Sequence, residues 1–489
     1  MIGTIGFLIR ICAVLGTALA AAHAAPMGPD EARHLLLRTS FAAPSAEVKA
    51  LAVLSRTEAV ERLLGQARTE PTTRPPAELD HWTPRSQLRA MSEQERREWL
   101  RQTNLQGQEL RTWWFGEMLA TSSPFTERMT LFWHNHFVSS LQKVRPARLI
   151  YRQNLLLRSH ALGNFRQMLH AISRDPAMII YLDNAFNRKG QPNENFAREV
   201  MELFTLGEGN YSEHDIKEAA RAFTGWGIDG ETGEFRFRPA WHDEGVKTVL
   251  GRSGAFGGAE VLDILLEEPQ TAELIVRKLW REYVSPVPDP REVERIAAEF
   301  RRSDYDIRVP VRALLASNAF YAKANRASLV KSPVELLVGT LRQFEFRVAD
   351  PFPFVVMSRQ LGQDLMAPPN VKGWPGGEHW INAGTLLTRK QILERLFRVV
   401  EPPAAAMMAV SAERSVNANP ANPNAGRFRR AMQEVRFDPG AWAAKAKDDG
   451  ALKVTNLLLP APPVHPVPGE RDTLALVRHL TLDPVYQLK

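Results

Sequence analysis

Apolar residues recur at three- and four-residue spacing along almost the whole chain, and that periodicity excludes a fold built mainly of sheet. It predicts helices over residues 31–38, 46–67, 86–120, 126–142, 147–158, 194–206, 212–224, 270–284, 290–302, 306–320, 333–346 and 384–400. Boundary residues agree: Ser212 with Asp215 reads as a capping pair, and Pro269 and Pro333 sit where a first helical turn tolerates proline. Strand signal is thin, confined to "EFRFRP" (234–239) and "KTVLG" (247–251), which could pair as one hairpin. The predicted fold class is mainly α, a multi-helical globular array with at most one small β-hairpin and long irregular loops.

The first 24 residues carry Arg10, an apolar run from Ile11 to Ala22 and a small-residue site at Ala22, His23 and Ala24. This is the layout of a secretory signal peptide cut after Ala24. The apolar run is too short to cross a bilayer, which needs roughly 20 residues, so no transmembrane anchor is expected after cleavage. The expected location is therefore periplasmic or extracellular. The only cysteine, Cys12, lies inside this segment. A mature chain without it has no disulfide, no thiolate nucleophile and no cysteine-held metal, so its stability must come from its core.

Acids and bases are both frequent, and the formal net charge of +7 is diffuse. The one compact basic run, "GRFRRAM" (426–432), does not make the dense stripe that nucleic acid requires, so nucleic acid is not an expected partner. Proline-rich "EPTTRPPAE" (70–78) reads as a surface connection. The expected organisation is a signal peptide at 1–24, a helical core domain at 25–400, a poorly ordered Pro/Ala/Asn-rich segment at 401–469, and a C-terminal helix at 470–489 docking on the core.

Chemistry is concentrated in four blocks. In "FWHNHF" (132–137) two histidines and an asparagine stand among large aromatic residues. On a helix, where side chains advance by about 100°, His134 and His136 point roughly 200° apart and cannot chelate one metal as a strand pair would. Met129, Phe132, Trp133 and His136 form one face, and His134, Phe137, Val138 and Leu141 another. Both faces look buried, so each histidine needs a partner from elsewhere, because an unpaired buried polar group costs about 1–3 kcal/mol. The two readings are core histidines bonded to backbone carbonyls, or a ligand or general base.

The second block, "NENFAREVMELFTLGEGNY" (193–211), segregates on a helical wheel. Phe196, Val200, Met201, Leu203 and Phe204 gather on one side; Glu194, Asn195, Arg198, Glu199 and Glu202 gather on the other. An ordinary amphipathic helix with i,i+4 ion pairs would look like this, yet carboxylates so crowded would also raise one another's pKa or attract a cation. The third, "WHDEGVKTVLG" (241–251), places His242 and Asp243 on a loop beside Lys247, where a structural salt bridge is the simpler reading. His134, His136, Glu199, Glu202, His242 and Asp243 together supply the nitrogen and oxygen donors that a divalent metal cofactor would take, if the fold brings them together. In the fourth, "PPNVKGWPGGEHWINAGTLLTR" (368–389), Gly373, Gly376 and Gly377 demand tight turns and Asn382 can cap the next helix. Glycine amides of Gly376 and Gly377 with the rings of Trp374 and Trp380 could bind a glycan; a rigid loop pinned by its tryptophans is the alternative.

"ERMTLFWHNHF", "NENFAREVMELFTLGEGNYSEHDIKEAARAFTGW", "HDEGVKTVLG", "KSPVELLVGTLR" and "PPNVKGWPGGEHWI" occur in this order, and with them the chain resembles the bacterial domain of unknown function 1800 family. The resemblance implies an exported, largely helical protein, often encoded beside a second exported family that would be its partner. It implies no activity, and no catalytic residue is carried over. Three functions stay open. One is metal-assisted or acid-base hydrolysis, with Glu199 or Glu202 as base or ligand and His136 and His242 as ligands or proton carriers. The second is a non-catalytic envelope binding or assembly protein acting with the co-encoded exported partner. The third is a glycan binder using Trp374 and Trp380.

Overall fold

Capping side chains cut the long periodic stretches into shorter helices. The Ser55 hydroxyl accepts the Glu58 N–H while the Glu58 carboxylate accepts the Ser55 N–H, and the expected 46–67 helix is two, Ser45–Ala52 and Arg56–Gly65. Ser92 and Glu95 repeat the device, dividing 86–120 into Arg85–Ala90 and the long Glu93–Ala120. Ser317 accepts the Phe320 N–H and splits 306–320 into Arg308–Leu315 and Asn318–Tyr321. Ala147–Ser159, Glu213–Ala222, Pro269–Tyr283, Pro290–Arg302 and Pro333–Gln343 lie within a few residues of expectation. Among the described residues before 400, helices Phe165–Ser173, Pro176–Tyr181, Gly258–Glu267 and Phe352–Gln360 were not foreseen; all are short, ten residues or fewer.

This computed structural model describes residues 25–398, 423–447, 454–467 and 473–489. The expected signal peptide, with Cys12, lies outside the described residues, as do 401–422, 448–453 and 468–469 of the Pro/Ala/Asn-rich segment and 470–472 of the expected C-terminal helix. Among the described residues no helix is long and apolar enough to cross a membrane.

The fold is mainly α, as the periodicity predicts, with two separate two-stranded antiparallel sheets. The one-hairpin expectation paired the wrong segments. Phe235–Phe237 pairs with Trp226–Ile228, and Lys247–Val249 pairs with Arg252–Gly254. Local turns at Gly233 and Gly251, both at positive φ, close each pair more readily than the longer 238–246 connection would.

The helix Pro124–His136 runs through the centre, ending at His136 because Phe137 leaves helical geometry at φ −99° and ψ 74°. Only Phe132 and Asn135 in its last two turns are half-buried; its other residues from Phe125 onward are buried. Trp133 lies 5.7 Å from Phe165 and 6.0 Å from Phe137, and Phe137 lies 5.1 Å from Phe204, ring centre to ring centre. The Glu-rich stretch packs its apolar side here, and its helix Glu194–Glu199 continues as a π-helix over Val200–Thr205. Such widened turns are rare and occur often at functional sites.

The same central helix carries two charges into the interior. Glu127 is paired with Arg158 and accepts the Trp114 indole N–H at 3.1 Å. Arg128 binds Glu335, and Glu282 at 2.6 Å, while Lys489 also reaches Glu335. Burial alone would raise the Glu335 carboxyl; Arg128 and Lys489 outweigh it and hold it down, at about 2. Glu335 in addition caps its own helix, accepting the Ser332 N–H at 2.7 Å.

Part of the segment expected to be poorly ordered is built instead into a second core. Its described residues form helices Pro423–Glu434, Pro439–Lys447 and Val454–Leu458, and bury Phe437, Trp442, Leu457, Leu458 and Leu459 against Phe344 and Phe397. Its composition concealed these scattered apolar anchors. The closing helix, Thr473–Leu482, buries Val477 and Leu480 in that core.

Because Glu335 neutralises two buried cations, Glu335→Ala should destabilise the protein by about 3–5 kcal/mol, read as a lower urea midpoint. A loss below about 1 kcal/mol would mean that Arg128 and Lys489 are solvated.

Candidate functional site

Asn135 faces the glycine loop from the end of the central helix. Its Oδ1 accepts the Trp374 N–H at 2.7 Å and its Nδ2 donates to the Trp374 carbonyl at 3.3 Å. Gly373 stands at φ +82°, and a Cβ there would lie 2.7 Å from the Asn135 carbonyl oxygen. Only glycine allows this approach. Gly376 and Gly377 also take positive φ, and Asn382 accepts the Thr385 N–H at 2.9 Å as the expected cap. Trp374 and Trp380 are buried, 4% and 6% exposed, so neither ring offers a face to a sugar. This corrects the glycan reading of Trp374, Gly376, Gly377 and Trp380: the loop is pinned by its tryptophans.

His134 is sealed between Trp114, 5.3 Å away, and Trp374, 5.8 Å away, and its Nε2 has no hydrogen-bond partner. Burial lowers its pKa to about 4, so it is a neutral imidazole at ordinary pH. His136, on the opposite side, accepts a hydrogen bond at Nδ1 from Lys278 Nζ at 2.9 Å. The same ammonium donates to the Leu203 carbonyl at 2.9 Å. Burial, then the Lys278 charge, keeps His136 well below its ordinary value.

The His-rich and Glu-rich elements therefore do meet, but not through the groups expected. Contact runs through Lys278, the Leu203 carbonyl and the Phe204 ring, 5.9 Å from His136. The carboxylates lie on the other side of the Glu-rich helix, half-buried. There Glu202 accepts the Tyr211 hydroxyl at 2.6 Å, Arg198 bridges Glu194 at 3.3 Å and Glu213 at 2.7 Å, and Lys372 pairs with Glu208 at 3.1 Å. Burial and the neighbouring Glu202 charge raise the Glu199 carboxyl, against the pull of Lys372 and Arg198. A carboxylate raised in part by a neighbouring one is among the outcomes the sequence pattern predicts.

His242 and Asp243 belong to a separate knot. His242 Nδ1 lies 2.9 Å from the Thr224 carbonyl, and the Asp243 N–H donates to Thr224 Oγ1 at 2.8 Å. The Asp243 carboxylate binds Arg221 at 2.8 Å, which lowers its pKa to about 2. Lys247 turns instead to the Asp243 and Gly245 carbonyls. The structural salt bridge foreseen here exists, with Arg221 rather than Lys247 as the cation.

The six proposed metal donors, His134, His136, Glu199, Glu202, His242 and Asp243, are thus dispersed over a sealed pocket, a buried lysine contact, a half-exposed helix face and a loop. Among the described residues no three His, Cys, Asp or Glu side chains stand together as a metal site. Lys278 was missed by sequence reasoning. The signal was available: it follows Thr271 and Ile275 at four- and three-residue spacing, at the edge of a buried stripe. Glu127 and Arg128 stood in plain view beside the histidines and were passed over.

Burial drops Lys278 to about 7 from an ordinary 10.5. The folded chain then binds fewer protons than the unfolded chain between about pH 7 and 10.5, so this lysine penalises folding most near pH 7 and progressively less as pH rises. Wild type should gain stability relative to Lys278→Met between pH 7 and pH 9.5, measured as paired urea midpoints. Parallel curves would contradict the burial of a titrating amine.

Comparison with known proteins gives one family and nothing finer. No curated protein and no solved structure matches the chain. A family model described as "Protein of unknown function (DUF1800)" matches residues 34–477, which span every block described above, and the chain belongs to that family.

Proposed function

We propose that this chain is an exported, non-catalytic binding or assembly protein of the bacterial envelope, acting with a co-encoded exported partner. The observation supporting this reading is the use the fold makes of its signature blocks. Asn135 holds the glycine loop, Lys278 joins His136 to the Glu-rich helix, and Thr224 holds the His242 loop, each through bonds internal to the protein. Polar groups committed in this way set a scaffold's geometry. What remains for a ligand is the outer surface.

A second reading has one specific observation in its favour. Glu199 is half-buried beside Glu202 with its carboxyl raised, as a general acid or base requires. Isosteric amides separate the two. The purified chain mixed with the exported protein encoded beside it should sediment as a complex at micromolar concentration, and Glu199→Gln/Glu202→Gln should leave that complex intact. Absence of any complex would overturn the binding reading. A hydrolytic activity on ester, glycoside or phosphoester substrates that this double variant abolishes without lowering the melting temperature would establish the acid-base one.

A further inference from the structure

A roomy cavity lies away from every signature block. It is a groove of about 920 Å³ between the first half of helix Glu93–Ala120, the short helix Arg85–Ala90 and the start of helix Ala147–Ser159. That volume is at the upper end of the range for small-molecule sites, roughly 300–1,000 Å³. Two half-buried tryptophans line it, Trp82 and Trp99. Each indole N–H is already spent inside the protein: Trp82 donates to the Gly230 carbonyl at 3.2 Å and Trp99 to Thr83 Oγ1 at 3.1 Å. Trp82 is also braced from one side by Gly233, where a Cβ would lie 2.8 Å from the ring. Both rings are held in place and turn carbon surface to the groove.

The polar lining is amide-rich. Gln87, Gln94, Gln102 and Gln106 border the cavity; a glutamine amide carries both donors and an acceptor, and of these Gln102 already donates to Glu98 at 2.8 Å. Three of the charged lining groups are engaged within the protein. Glu95 caps Ser92, Glu98 pairs with Arg101 at 2.7 Å, and Arg148 lies 3.4 Å from Glu234. A charged ligand would have to compete for these partners; a neutral polyhydroxylated one would not. Fixed aromatic surface for the apolar face of a pyranose, with amides for its hydroxyls, is the chemistry of sugar recognition.

We propose that this groove binds a neutral oligosaccharide, its rings stacked on Trp82 and Trp99 and its hydroxyls bonded to Gln87, Gln94, Gln102 and Gln106. The proposal rests on the reading of the chain as an exported binding protein and gives that reading a ligand class. The site is distinct from the Trp374–Trp380 loop, whose rings are buried.

Titration calorimetry of the full chain tests it, with cellohexaose, xylohexaose, chitohexaose and maltohexaose as neutral probes and hexagalacturonate as the acidic one. At least one neutral hexaose should bind, and Trp99→Ala and Gln94→Ala should each weaken it by about tenfold or more with melting temperature unchanged for the exposed Gln94 variant. Silence from all four neutral probes at millimolar concentration, preference for hexagalacturonate, or wild-type affinity in Gln94→Ala and Trp99→Ala would overturn the proposal. A failed titration alongside an intact complex with the co-encoded protein would remove only the groove's role; sugar binding without that complex would remove only the partner.

Discussion

A helix enclosed on every side has no water to satisfy its polar groups, and the rest of this structure follows from how the helix Pro124–His136 meets that constraint. It carries Glu127, Arg128, His134, Asn135 and His136, of which all but Asn135 are buried. An unpaired buried charge costs several kcal/mol, so the surrounding chain brings partners to these groups, His134 excepted, which is enclosed by rings with its Nε2 unbonded. Arg158, Glu335, Lys278 and the backbone of Trp374 come from four different regions of the sequence to do so. Satisfying one helix therefore fixes the positions of three others and of the glycine loop.

This explains why residues that resemble a reaction centre need not form one. Histidines and carboxylates are also the groups a fold uses to join helices through its interior, where low polarity strengthens each bond. Burial, then the Lys278 charge, keeps His136 neutral, and the Glu-rich helix offers it a carbonyl-linked lysine and a phenyl ring rather than an acid. His134 is enclosed by indoles. The carboxylates of the Glu-rich helix stay on the opposite side, where Tyr211, Arg198 and Lys372 balance them.

Much of this was legible in the sequence, and the gaps have physical causes. Periodicity located the helices, and the all-round apolar character of 126–142 announced its burial, although the helix itself stops at His136. Positive φ at Gly373, Gly376 and Gly377 could be read from the glycine pattern. What periodicity cannot give is the identity of a partner distant in the chain: Lys278 lies 142 residues from His136. It also missed capping serines that interrupt continuous patterns, as at Ser55 and Ser92, and hairpins closed by local glycine turns. The Pro/Ala/Asn-rich segment misled because a few apolar anchors, Phe437, Trp442 and Leu457 to Leu459, suffice to pack it. The tryptophan groove went unnoticed because Trp82 and Trp99 belong to different elements.

The central claim is that the signature histidines are neutral members of an internal frame. Histidine-selective nitrogen-15 NMR of the labelled chain across pH 5 to 8 tests it most directly. The account predicts that His134 and His136 stay neutral throughout, with Nδ1 of His136 the hydrogen-bond acceptor. Titration of His136 between pH 6 and 7, or a change in its shifts on adding zinc, would show an accessible imidazole and contradict the frame.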